Sequence, residues 1–357
     1  MEKNFSLREL NTFGFDVKAR YFQEVKSLED IKDLIKNDAF IECRASNRLL
    51  ILSGGSNILF SDEFYNGFVV YPNMKGIETL EETDETVMIR CYCGEVWKDF
   101  VDYTVSKNLY GLENLADIPG KVGAAPVQNI GAYGAEVKDT VYQVHTVNLK
   151  TGETKVFSNN ECQFGYRNSI FKSLKNILIF AVDFFLKKDG ELKLDYGNIR
   201  NYLINNNITN PTLKDVATTV KTIRAEKLPE VGVVGSVGSF FQNAIVPMEK
   251  YAEIQGQYGD VPSYPVTVEQ NEIPRCARND KAIVQQSLIK IPTGWLIDKA
   301  GWKGHREGHV GVWDKQALVL VHYGGGKPQE ILDLMKKIQI SVKEKFGVEI
   351  KPEVNIV

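Results

Sequence analysis

Two glycine-rich passages contain the residues whose spacing points most directly to chemistry. The first is Gly54-Gly55-Ser56-Asn57, which follows a buried strand predicted at residues 49–52. Two glycines permit positive φ angles and a bare backbone, so successive N–H groups can face an anion such as a phosphate. Ser56 and Asn57 can add side-chain hydrogen bonds. The pattern also occurs in ordinary strand–turn junctions, and it matches neither a Walker A loop nor a Gly-x-Gly-x-x-Gly fingerprint.

The second passage covers residues 118–134 and consists mostly of small side chains, in the order IPGKVGAAPVQNIGAYG. Such a run packs poorly as core and is too apolar for a flexible linker. It favours a large flat ligand lying against the backbone, and two tight hairpins are the alternative.

Three further segments contribute a cation, a hydroxyl and a carboxylate. Arg167 stands between aromatic residues, which is unfavourable for a permanent cation without a partner or an anionic ligand. Ser239 follows a flexible turn and precedes two aromatic residues, so its hydroxyl can be presented in a cleft. Glu353 lies in a predicted terminal apolar strand. Each also has a purely structural explanation: an ion pair for Arg167, a turn cap for Ser239 and solvent exposure for Glu353.

The elements that must position these groups alternate unevenly, which predicts an α+β fold rather than a regular βαβ repeat. A helix is predicted to begin at Ser27, where Asp30 completes a capping pattern. Another is predicted to begin at Thr212. The remaining predictions are helices at 95–105 and 330–346 and strands at 67–71, 87–92, 141–148, 177–186 and 317–322.

A charged cluster after a strongly apolar strand predicts a domain boundary at residues 187–190. Two α+β subdomains are expected at 1–75 and 76–190, and a further α+β domain at 191–330. Residues 331–357 are expected to form a helix and a strand that return to the active site. Residues 266–290 are polar and aperiodic, which predicts a surface insertion.

Composition narrows the possible classes of protein. The 357 residues have a formal net charge of -3, which gives no indication of nucleic-acid binding. The five cysteines are odd in number and match no zinc pattern, which is typical of a reduced, cytoplasmic protein. We predict no signal peptide, no membrane span and no metal site, because His305 and His309 lie in a glycine-rich stretch without metal-helix order.

The motifs SGGSNILF and IPGKVGAAPVQNIGAYG, with the opening Asn11-Thr12-Phe13-Gly14, resemble the FAD-binding half of the UDP-N-acetylenolpyruvoylglucosamine reductases. The resemblance runs from Asn11 to Val354, apart from 266–290. It implies a vanillyl-alcohol-oxidase-like (PCMH-type) FAD-binding domain at 1–190 and a substrate-binding domain at 191–330. It also implies noncovalent FAD, since 53–60 and 114–135 contain no histidine or cysteine. The implied cofactor-binding residues are Gly54, Gly55, Ser56, Asn57, Ile118, Pro119, Gly120, Gly123, Ala124, Gly131, Tyr133 and Gly134.

The same resemblance implies NADPH-dependent reduction of a UDP-sugar enol ether, through FAD, in peptidoglycan precursor synthesis. Arg167 and Glu353 match the residues that polarise the substrate carboxylate, and Ser239 matches the proton donor. The implied residues for binding the UDP-sugar are Tyr196, Lys227 and Asn243. We expect a monomer.

The chain departs from the family pattern at two places. Ala124-Ala125 replaces a usual serine pair, and Ala244 follows Asn243 where proline is common. Two other functions are compatible with the fold: another FAD-dependent oxidase or dehydrogenase, and an inactive nucleotide-binding or scaffolding protein. Joint presence of Arg167, Ser239 and Glu353 favours the reductase over both.

Overall fold

The computed structural model of the protein describes residues 1–266 and 288–357. The strands of these described residues are β1 (Glu2–Ser6), β2 (Lys18–Val25), β3 (Leu49–Ile51), β4 (Ile58–Leu59), β5 (Phe64–Pro72), β6 (Ile77–Glu82), β7 (Thr86–Tyr92), β8 (Gly131–Ala132), β9 (Ala135–Glu136), β10 (Val141–Asn148), β11 (Thr154–Ser158), β12 (Ile177–Lys187), β13 (Gly235–Ser239), β14 (Ala244–Pro247), β15 (Tyr264–Val266), β16 (Leu288–Ile291), β17 (Arg306–Glu307), β18 (Val310–Val312), β19 (Val319–His322) and β20 (Asn355–Ile356).

The α-helices of the described residues are α1 (Leu28–Leu34), α2 (Asp38–Ala45), α3 (Trp97–Ser106), α4 (Ile199–Asn205), α5 (Leu213–Lys227), α6 (Met248–Tyr258), α7 (Thr293–Lys299) and α8 (Pro328–Phe346). Short 3₁₀ helices include Glu113–Leu115 and Val122–Ala124. The mixture of sheets and helices confirms the α+β class.

The described elements divide into two compact units. The first unit comprises Met1–Thr12, Asp16–Ser56 and Glu63–Lys227, and the second comprises Phe13–Phe15, Asn57–Asp62 and Leu228–Val357. The division thus follows Lys227 and not the predicted boundary at 187–190. The reason is that α4 and α5 bury Ile199, Val216 and Val220 in a core cluster of the first unit. The predicted division between residues 75 and 76 stays a prediction.

The first unit contains a four-stranded sheet in the order β1-β2-β5-β3, in which β2, β5 and β3 run parallel. Helix α1 begins at the predicted capping box. The Ser27 hydroxyl accepts a hydrogen bond from the Asp30 N–H at 3.0 Å, and the Asp30 carboxylate accepts one from the Ser27 N–H at 3.1 Å. Helix α2 packs on the sheet through Phe40, whose ring meets that of Phe68 edge-on. These caps and contacts fix the strand that leads into Gly54.

A five-stranded antiparallel sheet, in the order β11-β10-β12-β7-β6, forms the rest of the framework of the first unit. Alternate residues of β7 are buried, as its sequence pattern predicts. On one side Trp97 and Phe100 of α3 pack against Phe184 of β12. Cys91 and Cys93 are buried thiols, and burial raises the pKa of Cys93 to about 11.

A buried polar network joins three strands of this sheet. Asp183 has no exposed surface and accepts hydrogen bonds from Arg90 Nε at 2.8 Å and Arg90 Nη2 at 2.9 Å. His145 Nε2 lies 2.7 Å from the same carboxylate, and Gln143 donates to it at 3.1 Å. Burial alone disfavours the charge, but the hydrogen bonds from His145 and Arg90 prevail and lower the pKa of Asp183 to about 2.

The second unit contains two larger sheets, β13-β19-β18-β17 and β14-β16-β15, and a parallel pair of β20 with β4. Helix α8 packs on β18 and β19 and buries Ile331, Leu334 and Ile338. His322 Nδ1 lies 2.8 Å from the Phe13 carbonyl, which fixes that short segment to β19.

Most predicted elements are present, with two corrections. The terminal strand covers only Asn355–Ile356, so Glu353 precedes it instead of lying within it. Of the predicted insertion, residues 267–287 lie outside the described residues. Residues 288–290 belong to β16, which pairs with β14 and β15, so this end is a strand and not a loop.

Candidate active site

The two glycine-rich passages meet in the first unit. The Ser56 hydroxyl donates a hydrogen bond to the Pro119 carbonyl at 3.0 Å. A Cβ atom on Gly54 would lie 2.8 Å from the Gly120 Cα. One on Gly55, whose φ is +60°, would lie 1.9 Å from the Leu10 carbonyl oxygen. Backbone therefore packs on backbone at this point, and only glycine fits.

This arrangement fits the diphosphate of a dinucleotide. Glycine turns expose polar backbone with no side chain in the way, and such turns bind anions. The neighbouring 3₁₀ helix is equally close-packed, since a Cβ on Gly123 would lie 2.5 Å from the Cys93 Cβ. The small side chain of Ala124, in the same 3₁₀ helix, leaves space for a ligand. Residues 54–56 and 118–125, all in the first unit, are thus suited to hold the FAD diphosphate.

The end of the second passage forms a hairpin, so the tight-turn alternative is correct for this part. Strands β8 and β9 pair with each other and are joined by a turn at Tyr133 and Gly134, both with positive φ. Arg167 Nη2 donates to the Gly131 carbonyl at 2.7 Å. Arg167 itself has a φ of +52° in a turn closed by Gly165 and Asn168, which aims its guanidinium at the hairpin. The structure therefore brings Arg167 next to Gly131, one of the predicted cofactor-binding residues.

Tyr196 lies beside the same hairpin. A Cβ on Gly134 would lie 3.1 Å from the Tyr196 Cβ, so the absence of a side chain there makes room for the tyrosine. The Tyr196 side chain is half exposed. Lys227 ends α5 and is also exposed. Both are accessible to a ligand.

Sequence reasoning missed two buried asparagines that build this region. Asn129 donates to the Gly165 carbonyl at 3.0 Å and accepts from the Lys138 N–H at 3.2 Å, which ties the hairpin to the Arg167 turn. Asn114 donates to the carbonyls of Tyr133 and Lys193 at 2.8 Å each. The signal for Asn129 was an asparagine within the small-residue passage at 118–134, whereas Asn114 directly follows Glu113 and had no such signal.

The second unit positions Ser239 and Glu353 on adjacent segments. The Glu353 N–H donates to the Phe240 carbonyl at 2.8 Å, and Phe241 forms a bridge with Pro352. Phe240 and Phe241 are buried and anchor this end of β13, whereas Ser239 is exposed. The pairing of β13 with β19 shifts register between Ser236 and Ser239, so the serine is the last residue of an irregular strand and does not follow a free turn.

Two more predicted residues are placed in the second unit. Asn57 is the last residue of the first glycine-rich passage. Its Nδ2 lies 3.5 Å from the Glu353 carbonyl, so it is a neighbour of the glutamate. Asn243 accepts a hydrogen bond from the Thr293 N–H at 3.1 Å, which orients its amide.

Within residues 1–266 and 288–357, no group of three or more histidine, cysteine, aspartate or glutamate side chains is arranged to hold a metal ion. His305 Nε2 lies 3.5 Å from Glu307, and His309 Nδ1 lies 3.2 Å from Glu330, so these histidines have acidic partners on the surface. No helix in the same described ranges is long and apolar enough to cross a membrane.

Comparison with known proteins gives a consistent result. Residues 20–158 match the family of FAD binding domains, and residues 226–357 match the C-terminal domain of UDP-N-acetylenolpyruvoylglucosamine reductase. The glycine passages and the first match define an FAD-dependent oxidoreductase.

Curated relatives cover the full length of the chain. Reductases of that name from Flavobacterium johnsoniae and Bacteroides fragilis are each 41% identical over 100% of this chain and 99% and 100% of the relatives. The chain belongs to the UDP-N-acetylenolpyruvoylglucosamine reductase family. A crystal structure of the reductase from Thermus caldophilus shares the fold, with a TM-score of 0.65, 19% identity and coverage of 99% of this chain and 97% of that one.

Proposed function

We propose that the protein reduces UDP-N-acetylenolpyruvoylglucosamine to UDP-N-acetylmuramate with NADPH, as a step in peptidoglycan precursor synthesis. The observation that carries this proposal is the 41% identity to reductases of that name over whole chains. The geometry of the predicted site residues supports it. We further propose that the enzyme is cytoplasmic and monomeric.

When bound, FAD supplies the hydride that reaches the methylene carbon of the enol ether. The residues of this chain must then stabilise the negative charge that develops on the substrate and supply a proton to its carbon. We assign to Arg167 and Glu353 the polarisation of the substrate carboxylate, toward which electrons flow as the hydride arrives. Arg167 is suited to this because its hydrogen bond to Gly131 and its left-handed turn pre-set its direction.

Ser239 is assigned the proton transfer to the carbon that bears the carboxylate. Its hydroxyl is a weak acid, so the proton moves only as charge builds up on that carbon. The Phe240–Glu353 backbone bond keeps the serine and the glutamate on neighbouring segments. Lys227 and Asn243 are assigned to the UDP diphosphate and Tyr196 to the substrate. A lysine suits the diphosphate because it is a point charge on a flexible stem.

An anaerobic absorbance experiment tests the proposal. Purified protein is reconstituted with FAD, reduced with NADPH, and then mixed with UDP-N-acetylenolpyruvoylglucosamine. We expect bleaching by NADPH and return of the oxidised spectrum on adding the UDP-sugar. Recovery only with oxygen would support an oxidase of the same fold instead. Binding of the UDP-sugar without any recovery would support an inactive binding protein.

A further inference from the structure

Lys121 is a buried lysine in the middle of the second glycine-rich passage. Its residue is only 9% exposed. Its ammonium donates a hydrogen bond to Asn73 Oδ1 at 2.9 Å and lies 3.9 Å from the centre of the Tyr71 ring. Every neighbour from residue 118 to residue 126 is small or aliphatic, so the side chain differs in kind from the rest of the passage.

The lysine reaches the sheet that carries the first glycine-rich passage. Tyr71 lies in β5 and Asn73 directly follows it, and β5 pairs in parallel with β3, which leads into Gly54. Asn73 in turn donates to Glu24 Oε1 at 2.5 Å and is fixed by its N–H bond to the Val25 carbonyl. The ammonium therefore connects the second passage to the carboxyl ends of β2 and β5.

The backbone on either side of Lys121 is held separately. The Gly120 carbonyl accepts from the Trp97 N–H at 3.0 Å, and the Val122 N–H donates to the Glu95 carbonyl at 2.9 Å. These bonds attach the passage to the start of α3. The lysine side chain connects it with Asn73 and the Tyr71 ring. A buried ammonium is costly, and an aliphatic residue would fill the space without that cost.

We propose that Lys121 is a positioning residue for the cofactor: its ammonium holds residues 118–123 against β5 so that both glycine-rich passages present their backbones to the FAD diphosphate together. This inference rests on the assignment of FAD to residues 54–56 and 118–125. It adds a residue to the cofactor site that acts through the loop and touches no reacting atom.

Binding of FAD to the apoprotein, followed by flavin fluorescence at pH 7, tests the proposal. Lys121→Met keeps the aliphatic stem and removes the ammonium. We expect an FAD dissociation constant about tenfold higher than wild type, equivalent to about 1.4 kcal/mol, with the melting temperature of the apoprotein changed little. Lys36→Met is the control, because Lys36 is exposed and pairs with Asp33 on the surface at 3.1 Å. Its FAD affinity should equal that of wild type.

The pH dependence of wild-type FAD binding gives a second test that needs no variant. Burial, with a contribution from the charge of Lys75, lowers the pKa of Lys121 to about 8. The ammonium is present below that pH, so FAD affinity should fall as pH rises through 8, and Lys121→Met should show no such fall. Other charged or titratable groups facing the ammonium are Lys75, Cys93, Glu24, Glu95 and Tyr71.

Three of these groups, Cys93, Tyr71 and Glu24, have pKa shifts that keep them outside this pH range, and burial causes the rise for Tyr71. Burial raises the pKa of Cys93 to about 11. Burial disfavours the Glu24 charge, but hydrogen bonds from Asn73 and Lys26 lower its pKa overall. A flat wild-type profile, or a Lys121→Met affinity within twofold of wild type, would overturn the inference alone. A wild-type protein that bound no FAD would overturn both the inference and the proposed function.

Discussion

Replacing Gly55 with alanine should damage both the fold of the first unit and its capacity for FAD. Gly55 has a φ of +60°, and a Cβ there would lie 1.9 Å from the Leu10 carbonyl oxygen and 2.7 Å from the Asn11 Cα. Both are backbone atoms, so no side-chain rotation can relieve the overlap. The left-handed backbone alone costs alanine ~1–2 kcal/mol.

The steric part of the cost is larger. Ordinary contacts of a Cβ begin at 3.4 Å, so the backbone near Leu10 must move by about 1.5 Å in a close-packed interior. Losses of this origin are at the high end for single substitutions, and we expect a total of about 4 kcal/mol. For a unit of this size that corresponds to a melting temperature lower by about 10 °C. The same movement displaces the backbone of Gly54 and Gly55, which we assign to the FAD diphosphate.

Thermal unfolding of the apoprotein, with and without added FAD, measures both effects. Gly152→Ala is the matched control in the first unit: its φ is +78°, but its Cβ would meet only the Ile35 Cδ1, at 3.1 Å. The control should lose ~1–2 kcal/mol and keep its stabilisation by FAD. Equal losses of stability for Gly55→Ala and Gly152→Ala would refute the steric reasoning. Undiminished FAD binding by Gly55→Ala would refute the assignment of the FAD diphosphate to this glycine-rich passage.

Three other substitutions test separate parts of the molecule. Ser239→Ala should leave flavin reduction by NADPH nearly unchanged but stall reoxidation by the UDP-sugar, because in the proposed mechanism only the second half-reaction needs its proton; stopped-flow absorbance separates the two. Lys227→Ala should mainly raise the KM for the UDP-sugar in steady-state assays, because it removes a charge opposite the diphosphate. Asp183→Asn should destabilise the protein by ~3–5 kcal/mol in urea unfolding, because Arg90 is left without its buried partner. The Asp183 pKa is lowered to about 2, below the ~4 of an unfolded aspartate, so wild type should lose this stabilisation as pH falls from about 4 to 2, and the variant should not.

Matched variants control these tests. Ser236→Ala lies in the same strand and should leave both half-reactions intact. Lys221→Ala, whose partner Asp102 is on the surface, should leave KM unchanged. Asp102→Asn should cost under ~1 kcal/mol. Equal damage to both half-reactions by Ser239→Ala, an unchanged KM for Lys227→Ala, or an unaltered acid profile for Asp183→Asn would each contradict the corresponding assignment.

Local features of the fold were predictable because their causes lie within a few residues. The capping box at Ser27 and Asp30 fixed the start of α1, and the apolar period after Thr212 fixed α5. Gly54 and Gly55 were recognisable because only glycine meets such backbone demands. The FAD-binding domain and the reductase family were correctly predicted from the order of several motifs.

Features that depend on distant contacts were not predictable from local pattern. The compact units divide after Lys227 and not at 187–190, because α5 packs against residues 113–115, far away in the chain. Glu353 was placed in a strand because its neighbours are apolar, whereas its backbone instead bonds to Phe240. Nothing local to Lys121 indicates Asn73, which is 48 residues away.

The parallel pairing of β4 with β20 has a consequence for how the chain is made. Asn355 bonds to the Asn57 carbonyl across a separation of 298 residues, and the N-terminal strand of this pair leaves the ribosome long before its partner exists. At ~5–20 residues per second, Ile58 and Leu59 wait roughly 15–60 s for the strand that pairs with them. This strand pair can therefore form only after synthesis reaches residues 355–356, whatever the order in which the other sheets of the second unit form.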